Sequence, residues 1–111
     1  MAGLDLLRGT LDLLILRSVS AGPKHGYAIA RWIESVSEGD FLVEEGSLYP
    51  ALQRIRGKGW LDAEWGVSDT GRRARFYELT PAGADRLKSE LRAWERYTQA
   101  VARAMEAEVV P

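Results

Sequence analysis

The stretch Glu44-Glu45-Gly46-Ser47-Leu48-Tyr49-Pro50-Ala51-Leu52-Gln53-Arg54-Ile55-Arg56-Gly57-Lys58-Gly59 decides how the chain is read. Leu48, Leu52 and Ile55 stand at i, i+4 and i+7, the spacing of one buried helix face. That orientation turns Ser47, Pro50, Gln53, Arg54 and Gly57 outward, a narrow polar face. Glu44 to Ser47 supply the capping types and early-turn carboxylates that suit a helix N-terminus. Deep inside a helix Pro50 would clash with the preceding turn and remove a backbone bond, so it belongs in the first turn or so. The helix is therefore predicted to start between residues 44 and 47 and to end at Gly57 or Gly59.

Working outward, Leu7, Leu11, Leu14 and Ile15 recur at helical spacing until Gly22-Pro23, which predicts a first helix over about residues 5–21. Ile29, Ile33 and Val36 predict a second, from His25-Gly26 to near Gly39. Downstream, residues 60–65 and 74–79 are strand-like and flank the turn-rich loop 66–71, so they read as an antiparallel hairpin. Thr80-Pro81 is a helix start with proline at the first helical position, and the pattern continues to about Glu108. Along that helix Leu87, Leu91, Trp94, Thr98, Val101 and Met105 keep a heptad-like seam with no intrachain partner of matching length. A second copy would supply one, so a homodimer is expected, with help from the first helix around Leu7 and Leu11. The fold class is mainly α with a small antiparallel β-hairpin, and residues 1–80 and 81–111 divide into a head and a C-terminal dimerisation helix within one structural unit.

Composition narrows the function. Of 111 residues, 46% are hydrophobic and 28% charged, the balance of a soluble globular chain. There is no cysteine, which excludes a disulfide framework and a thiolate metal site. His25, the single histidine, does not build a metal site with scattered carboxylates. No phosphate-cradling glycine loop or paired carboxylates stand out, so an enzyme is disfavoured and neither cofactor nor metal is expected. Arg17 interrupts the longest apolar run and Asp5 stands beside Arg8, unlike a signal peptide or a membrane span. The expectation is a cytoplasmic protein without membrane contact.

The net charge of −1 hides an uneven distribution. Residues 46–77 hold six basic side chains (Arg54, Arg56, Lys58, Arg72, Arg73 and Arg75) against three acidic ones, whereas both flanks are net acidic. Three helices, a hairpin and one long helix is the order of a winged helix-turn-helix with a dimerisation arm. In that fold the third helix enters the major groove and the hairpin reaches the backbone. The basic excess falls where phosphate neutralisation would need it, so double-stranded DNA is the expected partner.

These residues resemble the PadR-like transcriptional regulators, in particular the short members with a single C-terminal helix. The resemblance rests on Gly9-Thr10-Leu11, Gly22-Pro23, His25-Gly26-Tyr27-Ala28-Ile29, Glu45 to Leu52, Gly59-Trp60-Leu61, Gly71 to Tyr77 and Leu79-Thr80-Pro81-Ala82-Gly83, in that order. It implies a homodimeric repressor on a pseudo-palindromic operator, in some members relieved by phenolic acids or hydrophobic drugs. Carried over by position, Ser47, Tyr49 and Pro50 would meet bases or phosphates, Arg54 the flanking backbone, and Arg72, Arg73 and Arg75 the wing contacts. Trp94 would fall where multidrug-binding members sandwich flat molecules between two subunits. One departure is Arg56-Gly57, where family members often place an acidic residue.

Several residues keep two readings. His25 and the adjoining Tyr27 stand at the start of the second helix, where His25 caps the helix or meets phosphate. Tyr49 packs on a neighbouring helix or offers its hydroxyl to DNA, while Trp60 and Trp65 are expected to pack over a small core. Trp32 suits the core or the interface, and Trp94 suits interface packing or a hydrophobic effector. The alternative to a DNA-binding regulator is a winged helix used only for protein interaction.

Overall fold

A computed structural model describes residues 8–111. Seven elements follow one another: α1 (Arg8–Ser18), β1 (Lys24–His25), α2 (Gly26–Val36), α3 (Glu45–Gly57), β2 (Leu61–Val67), β3 (Arg73–Leu79) and α4 (Pro81–Glu106). The expected hairpin is present, but the sheet has three strands in the order β1-β3-β2. The short β1 pairs antiparallel with β3, Lys24 opposite Tyr77 and His25 opposite Phe76. Two residues carry no periodicity, which is why no strand was expected there.

Helix α1 stops at Ser18, short of the predicted end. The Ser18 hydroxyl donates to the Ile15 carbonyl at 2.6 Å and the Ser20 hydroxyl to the Arg17 carbonyl at 2.7 Å, closing the last turn by side chains. Helix α3 starts at Glu45 as expected, yet Pro50 is its sixth residue, beyond the first turn. Gly46, whose carbonyl Pro50 cannot serve, is solvent-exposed and leaves that acceptor to water.

The core is made where three helices meet one face of the sheet. Ile15 and Leu16 of α1, Ile29 and Ile33 of α2, and Leu48, Leu52 and Ile55 of α3 are fully buried, closed by Leu61 and Tyr77 of the strands. Burying a side chain of this kind contributes about 1.5–3 kcal/mol. Leu11, expected at an intersubunit surface, is only 7% exposed and belongs to this core instead. Leu87 also packs against it from α4, and Trp32 does so from α2. Leu7 lies outside the described residues. Packed α2 and α3 with the hairpin make a winged helix-turn-helix.

One junction joins these parts. Beyond the end of α3, Gly59 takes φ +79°, and the chain closes in a Schellman arrangement, with the Gly59 amide donating to Arg56 at 2.9 Å and the Trp60 amide to Ile55 at 3.3 Å. Thr80 then ties α4 to that turn. Its hydroxyl donates to the Gly59 carbonyl at 2.6 Å and accepts from the Gly83 amide at 2.9 Å, and its own amide donates to the Trp60 carbonyl at 3.2 Å. A Cβ on Gly83 would lie 2.0 Å from the Trp60 carbonyl oxygen, so only glycine admits this approach.

Helix α4 runs for 26 residues, about 39 Å, and outgrows the body. The radius of gyration is 16.2 Å, against about 13 Å for a compact chain of this size.

Gly83→Ala is expected to cost about 3 kcal/mol by forcing backbone apart, and to lower the thermal midpoint by roughly 10 °C. Gly57→Ala should do the reverse, since a Cβ there meets nothing within 4 Å; a gain of about 0.5–1 kcal/mol is expected from helix propensity. Thermal melts of both variants beside the parent check the pair.

Candidate nucleic-acid interface

The outward face of α3 carries Ser47, Pro50 and Gln53, all exposed, with Arg56 and Gly57 following. Arg54 is different. Its guanidinium pairs with the Asp12 carboxylate of α1, and both side chains are partly buried. The pair braces α3 against α1, so Arg54 is not free to swing outward as its place in the sequence suggested.

Tyr49 satisfies parts of both its readings. It is 43% exposed, but its ring lies on α2, where a Cβ on Gly26 would sit 3.1 Å from the phenol oxygen. Burial, then the Glu45 carboxylate and then Tyr77 hold the Tyr49 phenol above its ordinary pKa, so it remains a protonated donor.

His25 caps α2. Its Nδ1 accepts from the Ala28 amide at 3.2 Å, which leaves the ring proton on Nε2. The ring meets Phe76 edge-on at 5.4 Å and stacks beside Tyr27 at 6.4 Å. A cleft of about 570 Å³ opens between this helix start and the hairpin tip, bringing His25 and Tyr27 together with Ser68, Asp69, Thr70, Arg72 and Arg73. The tip is held by the Ser68 amide donating to the Arg72 carbonyl at 2.8 Å and the Gly71 amide to the Ser68 carbonyl at 2.9 Å.

The hairpin places a residue that sequence reasoning had assigned to core packing. Trp65 is 60% exposed, with the Arg73 guanidinium 4.6 Å and that of Arg75 5.7 Å from its ring. The strand register pairs Trp65 with Arg75 directly and puts Arg73 on the diagonal. Trp60, by contrast, does pack on the core, with Lys58 at 5.0 Å and Arg86 at 4.6 Å from its ring. The described residues contain two ion pairs, Arg54 with Asp12 and Arg86 with Glu90. Neither involves Arg72, Arg73 or Arg75.

On α4 the seam residues Leu91, Trp94, Val101 and Met105 are exposed. Thr98 is half-buried and its hydroxyl donates to the Trp94 carbonyl at 3.0 Å within the same helix. Trp94 stacks on Tyr97 at 6.2 Å, beside an open cleft of about 350 Å³ shared with Gly9, Thr10 and Leu13 of α1. Among the described residues no group of His, Asp and Glu side chains is arranged to hold a metal, and no helix is long and apolar enough to cross a membrane.

Comparison with known proteins places this geometry. Residues 15–89 match the Transcriptional regulator PadR-like family. A transcriptional regulator of Mycobacterium tuberculosis is 35% identical over 98 residues, covering 87% of each chain. Among solved structures, a PadR-like transcriptional regulator from Bacillus cereus superposes with a TM-score of 0.80 at 25% identity, over 92% of this chain and 97% of that one. A transcriptional regulator from Clostridium thermocellum gives 0.78 at 27%, over 86% and 90%. Proteins of this family are transcriptional regulators rather than enzymes. The chain described here belongs to the PadR-like family of transcriptional regulators.

Proposed function

We propose that this regulator binds duplex DNA as a homodimer in the cytosol and represses transcription by covering a pseudo-palindromic operator. The observation that carries the reading is the allocation of arginines. Of the basic side chains in residues 46–77 only Arg54 is held in an ion pair; Arg56 and Lys58 at the end of α3 and Arg72, Arg73 and Arg75 at the hairpin have no carboxylate partner among the described residues. Unneutralised arginines beside the exposed α3 face fit a phosphate-lined groove. In this reading Ser47, Tyr49, Pro50 and Gln53 meet the groove, His25 and Tyr27 the backbone beyond α2, and the three arginines the flanking phosphates. Residues 1–80 form the DNA-binding unit and 81–111 the dimerisation arm. Footprinting on the DNA upstream of its own gene tests the proposal.

The dimer reading rests on α4, whose seam residues Leu91, Trp94, Val101 and Met105 stay exposed among the described residues. A two-fold interface along it would set the recognition helices about 34–36 Å apart, one turn of DNA. Because Leu91 is exposed in the protomer, Leu91→Asp is expected to give a folded monomer. Sedimentation showing a dimer for this variant, or a monomer for the parent at micromolar concentration, counts against the interface.

Positioning and readout separate by mutation. Arg73→Ala should weaken operator and random duplex alike and lower the slope of log affinity against log salt by about one. Ser47→Ala or Gln53→Ala should instead reduce mainly the ratio of specific to nonspecific affinity. Binding isotherms at three salt concentrations on both duplexes distinguish the two patterns.

The stacked Trp94 and Tyr97 beside an apolar cleft favour one further reading, a small flat hydrophobic effector held near the two-fold axis. Such a ligand acts only through unequal affinity for operator-fitting and non-fitting dimer geometries. Planar dyes or phenolic acids are expected to quench tryptophan fluorescence in the parent and not in Trp94→Leu; quenching that persists in the variant would leave Trp94 as interface packing.

A further inference from the structure

We infer that Trp65 is a positioning residue for DNA binding, a fixed indole platform that holds the guanidinium groups of Arg73 and Arg75 ready for phosphate. The inference rests on the DNA-binding reading and assigns the hairpin a part that arginine content alone does not supply. Trp65 is 60% exposed, too open for its area to be explained by the core. Both arginines converge on its ring, at 4.6 and 5.7 Å, from the same face of the sheet that the register dictates. The carboxylates of the hairpin strands, Asp62, Glu64 and Glu78, alternate onto the opposite face. Asp69, in the loop, lines the cleft beside Arg73, but among the described residues neither Arg73 nor Arg75 forms an ion pair.

The geometry suits phosphate for a chemical reason. A carboxylate partner would occupy the N–H donors that phosphate needs. Stacking on an indole engages the flat face of the guanidinium and leaves its in-plane donors free, so restraint and phosphate binding are compatible. The Nε of Arg75 is buried and has no hydrogen-bond partner among the described residues, so a phosphate would meet this guanidinium through its terminal nitrogens. Arginine rotamers are otherwise numerous, and ordering them at the moment of binding subtracts from affinity. Trp65 performs that ordering beforehand.

The test uses the full chain, a random-sequence duplex, and the variants Trp65→Leu and Trp65→Phe, each alone and in an Arg73→Ala/Arg75→Ala background. In the free protein, the side-chain protons of Arg73 and Arg75 should show upfield ring-current shifts in NMR spectra that vanish in Trp65→Leu. Duplex affinity should fall about five- to thirtyfold in Trp65→Leu, the size of two lost cation–π contacts, and recover in part in Trp65→Phe. In the double-alanine background Trp65→Leu should add nothing further. Missing ring-current shifts, undiminished binding by Trp65→Leu, or an equal loss in the double-alanine background would each overturn the inference, the last by showing that the indole itself touches DNA. Should Trp65→Leu fail to fold, the same comparisons with Trp65→Phe decide, at smaller amplitude. A parent protein with no salt-dependent duplex binding overturns the DNA-binding reading and this inference together, a result distinct from binding that survives loss of the indole.

Discussion

The peptide groups of Gly59 and Trp60 are where the recognition helix, the hairpin and the long arm are held in one orientation. The Trp60 amide closes the end of α3 on Ile55, its carbonyl receives the Thr80 amide at the foot of α4, and the Gly59 carbonyl receives the Thr80 hydroxyl. Gly83 completes the junction by having no side chain where the Trp60 oxygen stands. Each hydrogen bond is individually worth about 1 kcal/mol, and because these groups are exposed to part-buried it is their number at one turn that holds the junction. The three elements therefore move as one body or the junction opens. Lys58 and Arg86 flank the same turn, both over the ring of Trp60, so the side chains restrain it as the backbone does.

A rigid junction has a consequence for regulation in the proposed dimer. If α4 leaves the head at a fixed angle, the distance between two recognition helices is set by how two α4 helices cross. A small change of crossing is then magnified over the roughly 39 Å of that helix. The cleft beside Trp94 lies between α1 and α4, close to the place where such a change would begin. A ligand there needs no path through the core to reach the heads. It needs only to favour one crossing over another.

What was legible in the sequence divides along physical lines. Elements built on a repeated pattern were readable: the three-residue stripe of α3, the Thr80-Pro81 cap and the long seam of α4 all have local causes that act within a few residues. The sheet was only partly readable, because β1 has two residues and exists through its pairing with β3, a contact remote in sequence. Arg54 misled for the same reason. Its outward place on the helix is a matter of phase, but its partner Asp12 is 42 residues away and no pattern links them. Leu11 fell in the right stripe and was given the wrong neighbour, since periodicity tells which face is buried and not what buries it. Trp65 was the least legible: strand tryptophans usually pack, and only the register opposite Arg75 shows that this one extends past the core. That signal was present as alternating spacing around a turn, but it required the turn to be placed to the residue. Leu7, outside the described residues, stays an expectation.

The internal pairing of Arg54 bears on how the surfaces share the work. With that guanidinium held by Asp12, the exposed face of α3 offers Ser47, Tyr49, Pro50 and Gln53, which carry no formal charge, and Arg56 only at its C-terminal end. Neutral polar groups discriminate by hydrogen-bond geometry and shape, and they contribute little to sequence-independent attraction. Attraction must come largely from elsewhere: cations without an ion pair among the described residues stand at the hairpin, with His25 and Tyr27 across the cleft, and at Arg56 and Lys58 where α3 ends. A protein with net charge −1 thereby keeps phosphate affinity local. Acidic flanks oppose loose electrostatic association over the rest of the surface, so that binding depends on docking the heads in register. In the proposed complex, moving one arginine from the groove to an internal brace sharpens selectivity, because the helix keeps its orientation and loses a contact that every sequence would have rewarded equally.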